Sequence, residues 1–190
     1  MEIAVKSDFS VLEVHSNQCV LARPQEPVQD LLSLAWEGRV VIADWEDRQA
    51  ETQLNKLALA LGPKLLVPEV WRQILPQAGI LVSSALSGGT LQERFKEASL
   101  ETPGRCWLKL EPVRMRFSLP CPTGCGTALT QESLDKKLEG KRTFFSEELC
   151  CRYAYDLENG AAMILYDTRT TLAEKTKMAK ELGFCGAILF

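Results

Sequence analysis

A parallel α/β fold is the class this sequence predicts, on three observations. Strand-like and helix-like segments alternate along the chain. The segment RVVIADW is a continuous apolar run, of the kind buried on both faces of a parallel sheet. The helix-like segments place their apolar residues three and four positions apart. At 190 residues, with 46% hydrophobic and 25% charged side chains, the chain is read as a single α/β domain, 1–190, able to bury a core.

Taken in order, SVLEVHS and QCVLARP read as short strands. Val28 to Trp36 sets Val28, Leu31, Leu32 and Ala35 on one helical face. RVVIADW follows. Gln49 to Leu61 then has Ala50, Leu54, Leu57 and Leu61 at helical spacing, with Gly62 as its stop. KLLVPEV and GILVSSAL are the next strands. Thr90 to Glu93 makes a capping box that starts a helix to about Ala98. RCWLKLEPVRMRF reads as one long strand interrupted at Pro112, SLPCPTGCGTAL as a loop and TQESLDKKLE as a short amphipathic helix. LCCRYAYD and AAMILYD form a hairpin across Leu157-Glu158-Asn159-Gly160. A helix from Thr170 to Leu182 and the strand FCGAILF complete the chain. VVIADW, KLLVP, GILVSS, CWLKL and CGAILF are expected to be parallel neighbours with helices outside.

The net charge of -3 gives no reason to expect a nucleic acid or an anionic membrane as partner. No apolar run approaches the length needed to span a bilayer. The stretch MEIAVKSDFSVLEVHSNQ has neither the basic nor the apolar region of a secretory signal. Seven cysteines, an odd number set mostly in apolar strands, suit buried thiols in a reducing compartment. The expected localisation is cytoplasmic.

Asp44 and Glu46 flank Trp45 where the apolar strand ends, and two readings of them stand. Acids favour the start of a helix, so the pair can be a strand-to-helix junction with caps and salt bridges. Residues two apart on a strand also share a side, and paired acids at a strand's carboxyl end are the raw material of general acid/base catalysis. Cys121 and Cys125 with Cys150, Cys151 and His15 fit a metal poorly. The spacing is C-x3-C, there is one His in the chain, and adjacent strand cysteines face opposite ways. No metal and no cofactor is expected. Ser87-Gly88-Gly89-Thr90 could hold a phosphate on backbone amides, but a tight capped turn explains it as well. His15 is also the sole partner available to a nucleophilic cysteine.

The segment FFSEELCCRYAYDLENGAAMILYDTRTTLAEKTKMAKELGFCGAILF resembles the end of family-18 glycoside hydrolase barrels, the chitinase-like group, and especially spore peptidoglycan hydrolases. Tyr166-Asp167, Thr171-Leu172, Lys175, Ala179-Lys180, Gly183-Phe184 and Gly186-Ala187 occupy matching places. FSLPCPTGCGTALTQESLD is similar to the family's W-T-L-P loop, and ADWEDRQAETQLNKLALALGPKLLV to its fourth strand and helix. The resemblance implies a shortened or partial (β/α)8 barrel of TIM type, with an open parallel sheet as the alternative. Residues 38–190 would be the chitinase-like part and 1–37 a reduced N-terminal part.

Laid on the family's D-x-x-D-x-D-x-E motif, Glu46 takes the place of the proton-donating acid and Asp44 that of its partner. Arg39 and Ile42 stand where the first two acids would be. The sixth strand's M-x-Y-D is VSSAL here, and the closing Trp is Phe190. Length departs as well, because such barrels typically need about 250 residues. The implied function is a catalytically impaired, glycoside-hydrolase-like module that binds a saccharide through Glu111, Arg114, Trp45 and Phe190. The alternative is a working glycosidase or peptidoglycan hydrolase with Glu46 as general acid, Asp44 as its partner and Glu111 as a replacement second group. A second copy of the chain could close an exposed strand end.

Overall fold

A computed structural model describes residues 9–14, 17–24, 26–36, 39–85, 89–157 and 160–190. The first elements are β1 (Ser10–Glu13), β2 (Cys19–Leu21), α1 (Val28–Trp36), β3 (Val40–Ile42), α2 (Glu51–Leu61), β4 (Leu65–Pro68) and β5 (Gly79–Ser83). Next come α3 (Leu91–Glu101), β6 (Cys106–Leu110), β7 (Arg114–Ser118), β8 (Thr127–Ala128), α4 (Gln131–Leu138) and β9 (Thr143–Ser146). The last are β10 (Cys151–Asp156), β11 (Ala162–Tyr166), α5 (Arg169–Glu181) and β12 (Gly186–Leu189). The chain divides into two compact units. Met1–Ser83, Phe95–Leu110 and Ala179–Phe190 form the first; Ser84–Arg94 and Glu111–Met178 form the second.

The first unit is built on a seven-stranded sheet in the order β1-β12-β6-β5-β4-β3-β2. Every pairing in it is parallel. The edge strands β1 and β2 follow one another in the chain, so the sheet curls until it is nearly closed into a barrel, a shortened TIM-like α/β fold. The five segments expected to be parallel neighbours lie side by side as β3, β4, β5, β6 and β12. All seven strands feed one interior. Leu12, Cys19, Ile42, Leu66, Leu81 and Ile188 form a buried cluster, with Trp107 packed against it from β6. On the outside, α2 buries Leu54, Leu57, Ala58 and Leu61 and ends at Gly62, whose φ of 55° suits glycine.

Trp107 explains two glycines. A Cβ on Gly79 of β5 would lie 2.5 Å from Leu66 Cδ2 and 3.2 Å from the Trp107 ring. A Cβ on Gly186 of β12 would lie 2.5 Å from the same ring and 2.8 Å from the Ser10 carbonyl oxygen. The large indole is accommodated because the strands on both sides of it carry no side chain there.

The second unit holds a five-stranded antiparallel sheet, order β8-β7-β11-β10-β9. Leu134 of α4 lies on Ile164 and Tyr166, with Leu129 and Leu138 beside it. Two buried carboxylates organise this unit. Asp156 is met by Lys141 Nζ at 2.9 Å and by Arg116 Nε and Lys137 Nζ at 3.5 Å. Asp167 Oδ2 accepts from Lys175 Nζ at 2.8 Å and from the Val113 N–H at 2.9 Å, while Oδ1 accepts from Thr171 Oγ1 at 2.7 Å. The Asp167 and Lys175 side chains are 0% and 1% exposed, so the start of β7 is clamped to α5 by a desolvated ion pair.

Several sequence expectations need correction. RCWLKLEPVRMRF is not one strand: β6 belongs to the parallel sheet and β7 to the antiparallel one. Pro112 separates them because it has no N–H to give to either ladder. Cys150 precedes β10 instead of sitting in it, with a left-handed φ of 49°. The alternation of Cys150 and Cys151 across a strand therefore does not apply. The Thr90–Glu93 capping box is present, Thr90 Oγ1 accepting from the Glu93 N–H at 3.2 Å and donating to Glu93 Oε2 at 2.8 Å. The helix it starts runs three residues past Ala98, to Glu101. β10 and β11 pair as the expected hairpin, although Glu158 and Asn159 of its turn lie outside the described residues.

Gly186→Ala should lower stability by roughly 1–3 kcal/mol in urea unfolding, because the new methyl meets backbone as well as ring. Asp167→Asn should lower it by about 3–5 kcal/mol, since Lys175 is left charged and buried. Burial pushes the thiols of Cys19, Cys150 and Cys151 up to about 11 from an ordinary 9.0. The folded state thus holds these protons more tightly than the unfolded chain does. Stability should be full below pH 9 and fall as pH rises from 9 toward 11, read as a declining urea midpoint.

Candidate functional site

The strand β3 stops at Ile42. Its ladder continues for one bond, from the Ala43 N–H to the Leu66 carbonyl at 2.9 Å. Residues 43–47 are not strand, so the alternation that would put Asp44 and Glu46 on one side does not govern them. Asp44 is half-buried, Trp45 buried and Glu46 exposed. Trp45 is anchored at both ends: its Nε1–H donates to the Ala22 carbonyl at 3.0 Å, and its own carbonyl accepts from Trp71 Nε1 at 2.5 Å. The helix-capping acid of ADWED is neither member of the pair. It is Asp47, whose Oδ1 accepts from the Gln49 N–H at 2.9 Å and opens the turn into α2.

Asp44 has a different partner. Lys109 Nζ donates to its Oδ2 at 2.7 Å, with the two side chains 17% and 26% exposed. The same ammonium lies 4.9 Å from the centroid of the Phe190 ring, a cation–π contact. Phe190 is fixed by its N–H, which donates to the Leu110 carbonyl at 3.1 Å. Asp44, Trp45 and Phe190 line an open groove of about 760 Å³, together with Arg23 and Arg39. Glu46 is not among its lining residues.

Lys109 was not among the residues singled out from the sequence. A signal for it existed: in CWLKL, alternation places Lys109 on the same face as Trp107, and a lysine in the inward register of a buried strand calls for a partner. The partner itself lies 65 positions away, beyond the reach of any local pattern.

Glu111 and Arg114 belong to the second unit. Both are half-buried, and the Glu111 N–H donates to Ser84 Oγ at 3.0 Å. They line a cavity of about 390 Å³ whose walls include Met115, Phe117, Leu149 and Leu165, with Lys175 and Cys151 also reaching it. Cys150 and Cys151 are poor nucleophiles, because the thiolate is the reactive form and burial disfavours it. Cys121 and Cys125 sit in the loop after β7, where Cys121 Sγ lies 3.4 Å from the Cys125 carbonyl oxygen. Among the described residues no three His, Cys, Asp or Glu side chains are grouped to hold a metal ion. His15 and Ser87-Gly88 lie outside those residues. Among the same residues no helix is long and apolar enough to cross a membrane.

No protein-family model matches this sequence, and no curated protein sequence matches it. Solved structures do share its fold. The spore cortex-lytic enzyme SleL of Bacillus megaterium QM B1551 superposes with a TM-score of 0.61 at 12% identity, over 95% of this chain and 55% of its own. The chitinase of Chromobacterium violaceum ATCC 12472 gives 0.58 at 12% identity, over 86% and 65%. A GH18 chitinase from Cycas revoluta, crystallised with (GlcNAc)3, gives 0.57 at 15% identity, over 88% and 68%. The chain therefore spans between about half and two-thirds of the length of these structures. It carries, in shortened form, the barrel fold of family-18 chitinases and of the SleL spore cortex-lytic enzyme.

Proposed function

We propose that this chain is a chitinase-like barrel that binds a saccharide without cleaving it. The observation that carries this reading is the 2.7 Å ion pair between Asp44 and Lys109. In the substrate-assisted cleavage of the family this chain resembles, one acid protonates the leaving oxygen while its partner carboxylate helps hold and polarise the substrate's own acetamido group as that group attacks. Here the carboxylate in the partner's place is bound to an ammonium. Glu46, in the acid's place, faces water outside the groove that Asp44 lines. A general acid must lie within hydrogen-bond reach of the oxygen it protonates, in a site that holds the bond against it. The end of β5 reads VSSAL where the family carries M-x-Y-D, so its Tyr and Asp are absent, and Ser84 Oγ accepts from the Glu111 N–H.

The groove in the first unit supports the binding half of the proposal. Arg23, Arg39 and Asp44 supply donors and an acceptor, and Phe190, 36% exposed, offers a ring for the C–H face of a sugar. That the Cycas revoluta chitinase was crystallised with (GlcNAc)3 makes chito-oligosaccharides the first ligands to try.

Wild-type protein should release no sugar from chito-oligosaccharides or peptidoglycan, and Glu46→Gln should be equally silent. Calorimetry with chitotriose should detect weak binding, reduced roughly 3–10-fold in Phe190→Ala. Turnover by the wild type that Glu46→Gln abolishes would replace this reading with that of an active glycosidase. Absence of both turnover and binding would remove the saccharide altogether.

A further inference from the structure

The antiparallel sheet of the second unit has two edges, and they differ. β8 is two residues long, which leaves little for a foreign strand to pair with. β9 is four residues, Thr-Phe-Phe-Ser, with no charge within it and with Thr143, Phe144 and Phe145 all exposed. Phe144 and Phe145 are 40% and 42% exposed and point to opposite faces of the sheet. On the Phe144 face the apolar surface continues across the strand pairs. Phe144 stacks on Tyr153 at 5.4 Å between centroids, and Tyr155, 49% exposed, lies 6.5 Å from it. An open edge with aromatics on both faces and no internal charge lacks the usual protections against pairing with another strand.

The flanking charges indicate which strand that is. The sequence through the edge reads Lys141-Arg142-Thr-Phe-Phe-Ser-Glu147-Glu148, basic before the strand and acidic after it. Lys141 is engaged with Asp156, whereas Arg142, Glu147 and Glu148 are exposed. Antiparallel pairing of two copies about a twofold axis sets the start of each strand beside the end of the other. With the axis at Phe144 or at Phe145, Arg142 of each copy comes beside the turn that leaves its partner's β9, residues 147–150, which carries Glu147 and Glu148. Parallel pairing would set like charges beside each other. We infer that the β9 edge is a self-association surface, at which a second copy of this chain adds its own β9 antiparallel and makes one sheet continuous through both.

The test uses the full chain. Sedimentation of the wild type should show a monomer–dimer equilibrium with a dissociation constant on the order of 100 µM or tighter. Arg142→Glu should weaken it about tenfold, because two symmetry-related attractions become repulsions. Glu147→Arg with Glu148→Arg should do the same, and the triple variant carrying all three changes should recover wild-type association to within a few-fold. Hydrogen exchange should show the amides of residues 143–146 protected at high concentration and released on dilution. A wild type that stays monomeric at about 1 mM overturns the inference. So does a dimer whose β9 amides exchange independently of concentration, or a triple variant no better than its parents. These readouts involve neither sugar nor Glu46, so they stand or fall apart from the saccharide reading.

Discussion

The barrel depends on how one strand, β6, fills it. Its inward positions are Trp107 and Lys109, two residues apart. The indole occupies interior space that neighbouring strands leave open by carrying glycine at positions 79 and 186. A nearly closed sheet of short strands has little volume to spare, and interiors pack to crystal-like density. One large ring between two glycines therefore sets how closely β5, β6 and β12 can approach. The register β6 adopts to seat Trp107 also directs the Lys109 side chain inward, toward Asp44.

That second consequence bears on chemistry. A lysine on an inward position of a strand is costly unless its ammonium finds a partner, and Asp44 and the Phe190 ring supply an anion and a π-face. The two side chains are 17% and 26% exposed, so breaking this pair should cost more than breaking a surface salt bridge and less than breaking the sealed pair of Asp167 and Lys175. It also occupies the carboxylate that the family resemblance assigns to the chemistry. A packing requirement of the barrel and the proposed loss of cleavage thus converge on one residue. Glu46 has no such role in the core, and its exposure fits a position released from that constraint.

The second unit follows another logic. Its sheet carries fewer fully buried apolar residues than the barrel, and buried carboxylates tie its elements together. Asp156 gathers cations from β7 and from the region of α4, while Asp167 joins the start of β7 to α5. Removing one member of either arrangement would leave a buried charge without its partner, which is costly. The free β9 edge lies at the far end of this sheet from β8. It is the part of the unit that these internal constraints leave open to a partner.

Much of this architecture was legible in the sequence, because it rests on short-range rules. Apolar runs and helical spacing marked β3, β4, β5, β12, α2 and α5, and the capping box at Thr90 needed only four consecutive residues. The parallel class followed from their alternation. What the sequence could not decide is long-range. Whether residues on either side of Pro112 share a sheet depends on which partner strands each finds, and β6 and β7 find different ones. The pairing of Asp44 with Lys109 joins residues that no local pattern relates. The separate fates of Asp44 and Glu46 follow from β3 ending at Ile42, two residues before periodicity could apply to them. Local propensity marked most of the elements but not β8, β9 or the division of β6 from β7. Only the three-dimensional packing decided those pairings and which charges meet, because burial and partner choice arise when distant segments exclude water together.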